Sequence, residues 1–247
     1  MVAQNAGVAP EDILSWDLYL YSRAQGTVFG GEKEFIAAPR LDDLECVFAA
    51  TKAFLAGENR ENVTVLALFD NEEIGSLTRQ GADSTFLGDV LERVALSCGK
   101  DQEGLYRAIA GGFMLSADNA HAVHPDSPEK SDPTNRCYLN EGVVVKHSPR
   151  YASDALTAGV FQAICQKAGV PVQVYYNNSR IPGGGTLGNL SGSHVALPTV
   201  DIGLPQLSMH SPYETAGAQD LEYMVQAMEA FYKTVLTVTG QDAYEIS

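Results

Sequence analysis

VTVLALFDNEEIGS, Val63 to Ser76, is an apolar strand that breaks off into two adjacent carboxylates and a glycine. The VTVLALF run is β-branched or apolar throughout, the composition of a strand buried on both faces of a parallel sheet. In an open α/β sheet, ligands bind beyond the carboxyl ends of the strands, so Glu72 and Glu73 project where chemistry is usually done. Neighbouring carboxylates repel, and both stay ionised most easily beside something cationic. One arrangement that meets this is a metal ion that takes one Glu as ligand and leaves the other free as a base toward water. A plain acidic turn is the alternative, and the pair alone does not separate the two.

Outward from this stretch, strands and helices alternate. Phe113–Ala117, Gly142–Lys146, Val172–Tyr176 and Thr199–Gly203 read as strands. Helical spacing covers Leu44–Leu55, closed by Gly57, then Ser84–Ala95, Gln102–Ile109 and Ala152–Ala168, closed by Gly169. A last helix is expected from Glu214 to about Leu236, where Leu221, Met224, Val225, Met228, Phe231 and Val235 keep the period. Near the start, Ile13–Tyr21 alternates apolar and polar and is followed by Gly26, Gly30 and Gly31, as in a hairpin or sheet edge. The expected fold class is α/β, with a mainly parallel central sheet covered by helices on both faces.

A chain of 247 residues with 45% hydrophobic and 19% charged residues can bury a full core. No apolar run approaches the roughly 18 residues of a membrane span, so no membrane partner is expected. The first residues, MVAQNAGVAPED, lack the basic start and apolar core of a secretory signal, which favours the cytoplasm. Acidic residues outnumber basic ones by 31 to 16, for a net charge of −15, which argues against a nucleic-acid partner. Cys46, Cys98, Cys137 and Cys165 are scattered without close pairs, so neither a disulfide framework nor a thiolate zinc site is indicated.

Further acids and imidazoles fall at element ends. Asp42 and Asp43 open a helix, where helix capping is the simpler account. SADNAHAVHPD carries Asp118, His121 and His124 past a strand, and LPQLSMHS carries His210 past another. The glycine-rich loop IPGGGTLGN lacks the lysine of a phosphate-binding loop, and its glycines suit a backbone lining a cleft. Oxygen and imidazole donors of this kind suit a pair of zinc, cobalt or manganese ions better than a soft thiolate site. Two metals need a bridging carboxylate, terminal ligands on either side and a base for the shared water.

Taken together and in order, APRLDDL, FDNEEIGS with the following QGA, SADNAHAVHP, VVVK with RYASDA, IPGGGTLGN and GLPQLSMHS resemble the successive motifs of the M18 metallopeptidases, the aspartyl aminopeptidase family. The resemblance runs from about Ala9 to Leu236. It implies a metalloaminopeptidase with two zinc ions, removing N-terminal residues from peptides. It makes Asp42 the bridging carboxylate, Glu72 the general base, Glu73 and His210 ligands of one metal, and Asp118 a ligand of the other. It assigns substrate contacts to His124, Lys146 and Tyr151, with Gly184, Gly185 and Thr186 close by. A lysine near the cleft suits an acidic residue at the peptide's N-terminus, although a strand-end lysine is equally suited to plain solvation.

Members of the family it resembles carry an upstream segment with a histidine that completes the first metal site, then an inserted dimerisation domain. On that pattern residues 1–30 correspond to the end of the dimerisation domain and 31–247 to the C-terminal part of the catalytic domain. A homo-oligomer is then expected of the full-length protein. Two outcomes are expected to compete: a working peptidase, or a truncated fragment that binds metal or peptide without turnover.

Overall fold

Residues 1–59 and 61–247 are described by the computed structural model of the chain. A short helix α1 (Val2–Ala6) comes first, and residues 13–26 form no strand. Leu14, Tyr19 and Leu20 of that run are almost wholly exposed. An alternating pattern specifies a strand only when a neighbour pairs with it. The hairpin lies instead at β1 (Thr27–Phe29) and β2 (Phe35–Ala38), which turn about Gly30 and Gly31.

Helix α2 (Leu41–Ala56) follows, then α3 (Phe86–Ser97) and α4 (Gln102–Ala110). Between them the Val63–Phe69 run joins no ladder among the described residues, and Val63, Val65 and Leu68 stand exposed. Its composition is that of a buried strand, but no strand among the described residues pairs with it. Next come β3 (Met114–Ala117), β4 (Ala120–His121), β5 (Val143–His147), α5 (Ala155–Ala168), β6 (Val172–Tyr176) and α6 (Leu187–His194). The chain closes with β7 (Thr199–Gly203), β8 (Pro205–Leu207), β9 (Glu214–Gly217), α7 (Ala218–Lys233), β10 (Leu236–Gly240) and β11 (Ala243–Ile246).

The fold is α/β with mixed sheets. A four-stranded sheet runs β3-β7-β5-β6, parallel except where β7 meets β5. A five-stranded sheet runs β1-β2-β9-β8-β4, antiparallel except where β4 meets β8. Two chain segments pass from one sheet to the other: β3 continues into β4 through Asp118 and Asn119, and β7 into β8 through Leu204. Gly203 permits this crossing, since a Cβ there would overlap the Asp118 carbonyl.

Glu214–Gly217 is a strand, not the first turn of the last helix. It lies between β2 and β8 and is paired on both edges, which satisfies its backbone before any helix starts. The glycine-rich loop contains a helix, α6, that composition hides.

Val143 and Val145 of β5 and Val200 and Ile202 of β7 pack against Phe161 of α5, Ala49 and Ala53 of α2, and Met224 and Met228 of α7. Each buried Val, Ile, Phe or Met side chain among them stabilises the fold by roughly 1.5–3 kcal/mol over an exposed one. The intervening residues face the other way. Val144 packs with Ala120 and Cys137, and Asp201 backs onto α6, where Gly188 leaves room for its carboxylate. Helices therefore cover both faces, and the α6 side carries the polar residues. No helix among the described residues is long and apolar enough to cross a membrane.

Candidate metal centre

Four connections bring their acids to one place. The turn from β2 into α2 carries Asp42 and Asp43, both with non-helical backbone angles, after Arg40 in the left-handed region. Glu72 and Glu73 ride a single 3-10 turn, Glu72–Ile74, flanked by Asn71 at φ 60° and Gly75 at φ 99°. That turn is closed by the Gly75 amide donating to the Glu72 carbonyl and the Ser76 amide donating to the Asn71 carbonyl. The Asn71 side chain donates to Thr78 Oγ1 and fixes the loop beyond. Asp118 occupies the crossing between the two sheets, and His210 the turn between β8 and β9.

The donors form two groups. His210 Nε2 lies 3.1 Å from Asp42 Oδ2 and 3.1 Å from Glu73 Oε2. Asp42, Glu73 and His210 offer ligand atoms all within 4.8 Å of one another, and so do Asp42, Asp43 and Asp118. Asp42 belongs to both. Asp43 reads from sequence as a helix cap at most, and no capping hydrogen bond is present at that helix start. Its carboxylate is instead part of the second group.

This much negative charge fits a divalent cation. Burial, then the charges of Asp118, Glu73 and Glu214, push the Asp42 carboxyl up to about 8. Burial and Asp118 push Asp43 well up too, and its Oδ1 has no hydrogen-bond partner. Unpaired buried carboxylate oxygens are costly, and a hard or borderline cation is a partner that satisfies them. Glu72 is pushed up to about 7 by burial and by Asp118 and Glu73, against the pull of Lys146 and His210. A carboxyl poised there exchanges protons readily near neutral pH.

Asp118 has a dedicated cation. Burial raises its pKa, but the charge of Lys146 and hydrogen bonds from Thr186 and Lys146 more than offset this, and it ends below the usual range. Lys146 Nζ donates to Asp118 Oδ2 at 3.1 Å, to the Asp118 carbonyl at 3.0 Å and to the Asn119 carbonyl at 3.1 Å. Those three bonds use all its protons. Thr186 Oγ1 donates to the same Oδ2 at 2.8 Å, leaving Oδ1 free of them. Both residues read from sequence as substrate contacts; in the structure their donors are spent on Asp118.

These residues form the floor of a cleft of about 730 Å³, and His121, His124, Arg150, Tyr151 and the Gly183–Thr186 run line it. The Asp126 amide donates to His124 Nδ1, which places the His124 proton on Nε2. The Tyr151 ring lies 5.2 Å from Lys146 Nζ, and its loop is anchored by the Ala152 amide donating to Asp201. A Cβ on Gly184 or Gly185 would meet no protein atom, so those backbones border open cleft. Desolvation, then the charges of His210 and Lys146, lower the His121 pKa and favour its neutral ring.

A family model described as aminopeptidase I zinc metalloprotease (M18) matches residues 1–232. The probable M18 family aminopeptidase 2 of Clostridium acetobutylicum is 46% identical over 234 residues, which cover 94% of this chain and 54% of that protein. The chain thus spans about half the length of the curated relatives it matches. Among solved structures, yeast aminopeptidase 1 superposes with a TM-score of 0.79 at 32% identity, over 94% of this chain and 53% of that one. A dodecamer of S. cerevisiae mApe1 gives a TM-score of 0.79 at 33% identity, over 94% and 53%.

Proposed function

The chain belongs to the M18 family of zinc metallopeptidases, and on that footing we propose that it carries the catalytic carboxylates of a dinuclear aminopeptidase. Asp42 would be the ligand common to the two zinc ions, Glu73 and His210 would hold one, and Asp118 would hold the other. The observation that supports this most is the sharing of Asp42 between two donor groups. When bound, the ions supply Lewis acidity toward the scissile carbonyl and a water of lowered pKa. Glu72 would be the base that accepts a proton from the attacking water and hands it to the leaving amine. His124, Tyr151 and the Gly184–Gly185 backbone line the path of the peptide, with Thr186 behind them on Asp118. Residues 31–247 are the catalytic unit in this reading, and the full-length protein is a homo-oligomer, as its dodecameric neighbour is.

The preferred N-terminal residue in this reading is acidic. Lys146 has no donor left, and of the other cations lining the cleft, Arg150 and Lys130, Arg150 beside Tyr151 is the one that would meet it.

A second reading is a chain that holds metal without turnover. It is favoured by one feature: the Asp42, Asp43 and Asp118 group contains no imidazole. Hydrolysis of aspartyl and leucyl chromogenic amides, with zinc or cobalt added and then chelated, separates the readings. Metal-dependent cleavage supports the peptidase. Two bound zinc ions without cleavage support the second reading, and no bound zinc overturns both.

A further inference from the structure

Asp42 and His210, far apart in sequence, share one buried residue that accepts from both of their main-chain amides. Glu214 opens β9 and is almost completely buried. Its Oε2 accepts from the Asp42 amide at 3.0 Å, and its Oε1 accepts from the His210 amide at 2.6 Å. Both carboxylate oxygens are thus spent on main-chain donors, one on the β2–α2 turn and one on the β8–β9 turn.

The topology explains why this residue can do so. β9 lies between β2 and β8, and Glu214 pairs with Ala38, the last residue of β2. From there its side chain reaches the turns leaving both neighbouring strands. Each of those turns carries an unfavourable backbone: Arg40 at φ 60° before Asp42, and His210 itself at φ 66°. Left-handed conformations of non-glycine residues cost roughly 1–2 kcal/mol and persist where surrounding contacts enforce them. A carboxylate accepts only, so it suits two converging N–H groups, and charge-assisted bonds of this kind are about twice as strong as neutral ones.

We propose that Glu214 is a positioning residue that fixes Asp42 and His210 relative to one another by holding both backbones. The inference rests on the metal-binding reading of those two residues. It makes the spacing of the shared donor group a property of β9 rather than of the two loops. Residues that orient ligands from behind typically contribute 10- to 100-fold to metal affinity.

The test uses two readouts on the full chain. Amide hydrogen exchange without metal reads the clamp, and competition with a chromophoric chelator reads zinc affinity. In the unsubstituted chain the Asp42 and His210 amides should exchange as slowly as the paired amides of β9. Fast exchange at both overturns the proposal without any variant. Glu214→Gln swaps one acceptor oxygen for a donor, and Glu214→Asp keeps the charge on a shorter arm. Either should speed exchange at one or both amides and weaken zinc at least tenfold, with the far-ultraviolet circular dichroism retained. Faster exchange with zinc affinity within twofold would mean that Glu214 only stabilises the sheet, and the proposal fails. If the unsubstituted chain binds no zinc, the metal reading itself fails and takes this one with it, whereas slow exchange with unaltered zinc affinity in the variants sinks this one alone.

Discussion

Lys146 and Asp118 form a nearly buried ion pair in which the ammonium, donating to the carboxylate at 3.1 Å, has no proton left for anything else. The pair ties β5, which carries Lys146, to the β3–β4 connection, which carries Asp118 and passes from one sheet to the other. Its consequence for the site is that Asp118 stays ionised, with Oδ2 occupied by Lys146 and Thr186 and Oδ1 free of both. A cation in this position serves the acid beside it before it serves a substrate.

Lys146→Met should therefore weaken zinc binding by about 10- to 100-fold, as removal of a ligand-orienting partner does. Lys146→Arg should not rescue it, because a planar guanidinium cannot reproduce three bonds converging on one nitrogen. Unfolding without metal should also become easier for the Met variant, because breaking a buried pair leaves an uncompensated charge worth about 3–5 kcal/mol. Chelator competition and urea denaturation measure the two effects. Unchanged zinc affinity in Lys146→Met would return the lysine to the substrate.

Glu72→Gln separates base from ligand. The side chain keeps its shape on the 3-10 turn but no longer accepts a proton, so turnover should fall by about 10²–10⁴-fold. Zinc stoichiometry should stay as it is, whereas Glu73→Ala should lose metal. Equal metal loss in both variants would place Glu72 among the ligands instead.

The positions of Asp42 at a helix start and of Asp118 and His210 beyond strands are legible in the sequence because they follow local patterns, whereas Glu72 and Glu73 follow an apolar run that pairs with no strand among the described residues. What joins them is not local. Whether Lys146 meets solvent or Asp118 depends on how close β5 lies to the β3–β4 crossing, and Glu214 sits in a stretch whose helical period masks a strand gripped from both sides. Asp43 was hidden for a related reason: an Asp at a helix start is explained by capping until its backbone is seen to be non-helical. The Val63–Phe69 run shows the reverse failure, where composition specifies a strand and no partner strand is present among the described residues.

Arg150→Ala tests the origin of any acidic preference. Arg150 is among the residues lining the cleft, and a hydrogen bond between charged groups contributes about 1.5–3 kcal/mol, roughly ten- to hundredfold in specificity. The ratio of kcat/KM for aspartyl over leucyl amides should drop by that factor, with leucyl hydrolysis within about twofold of the starting value. An unchanged ratio would leave the preference without Arg150.

Glu45 contributes to the pH dependence of the fold. It is buried, accepts from Asn119 through Oε1, and leaves Oε2 without a partner. Burial, followed by the opposing Asn119 hydrogen bond and the charges of Asp220 and Glu214, leaves its carboxyl raised to about 8. In the unfolded chain it titrates near about 4.3. Between those values the folded chain keeps a proton that the unfolded chain has released, so this group makes stability fall as pH rises, by up to about 1.4 kcal/mol per pH unit. Its contribution is fully present below about pH 4 and has been lost above about pH 8. Glu45→Gln stays neutral throughout and can still accept from Asn119, so its unfolding free energy should decline less steeply across that window than that of the unsubstituted chain. Urea denaturation at pH 5, 6.5 and 8 in the presence of a chelator measures both slopes. Parallel slopes would mean that Glu45 is already ionised in the fold, with Oε2 satisfied by water.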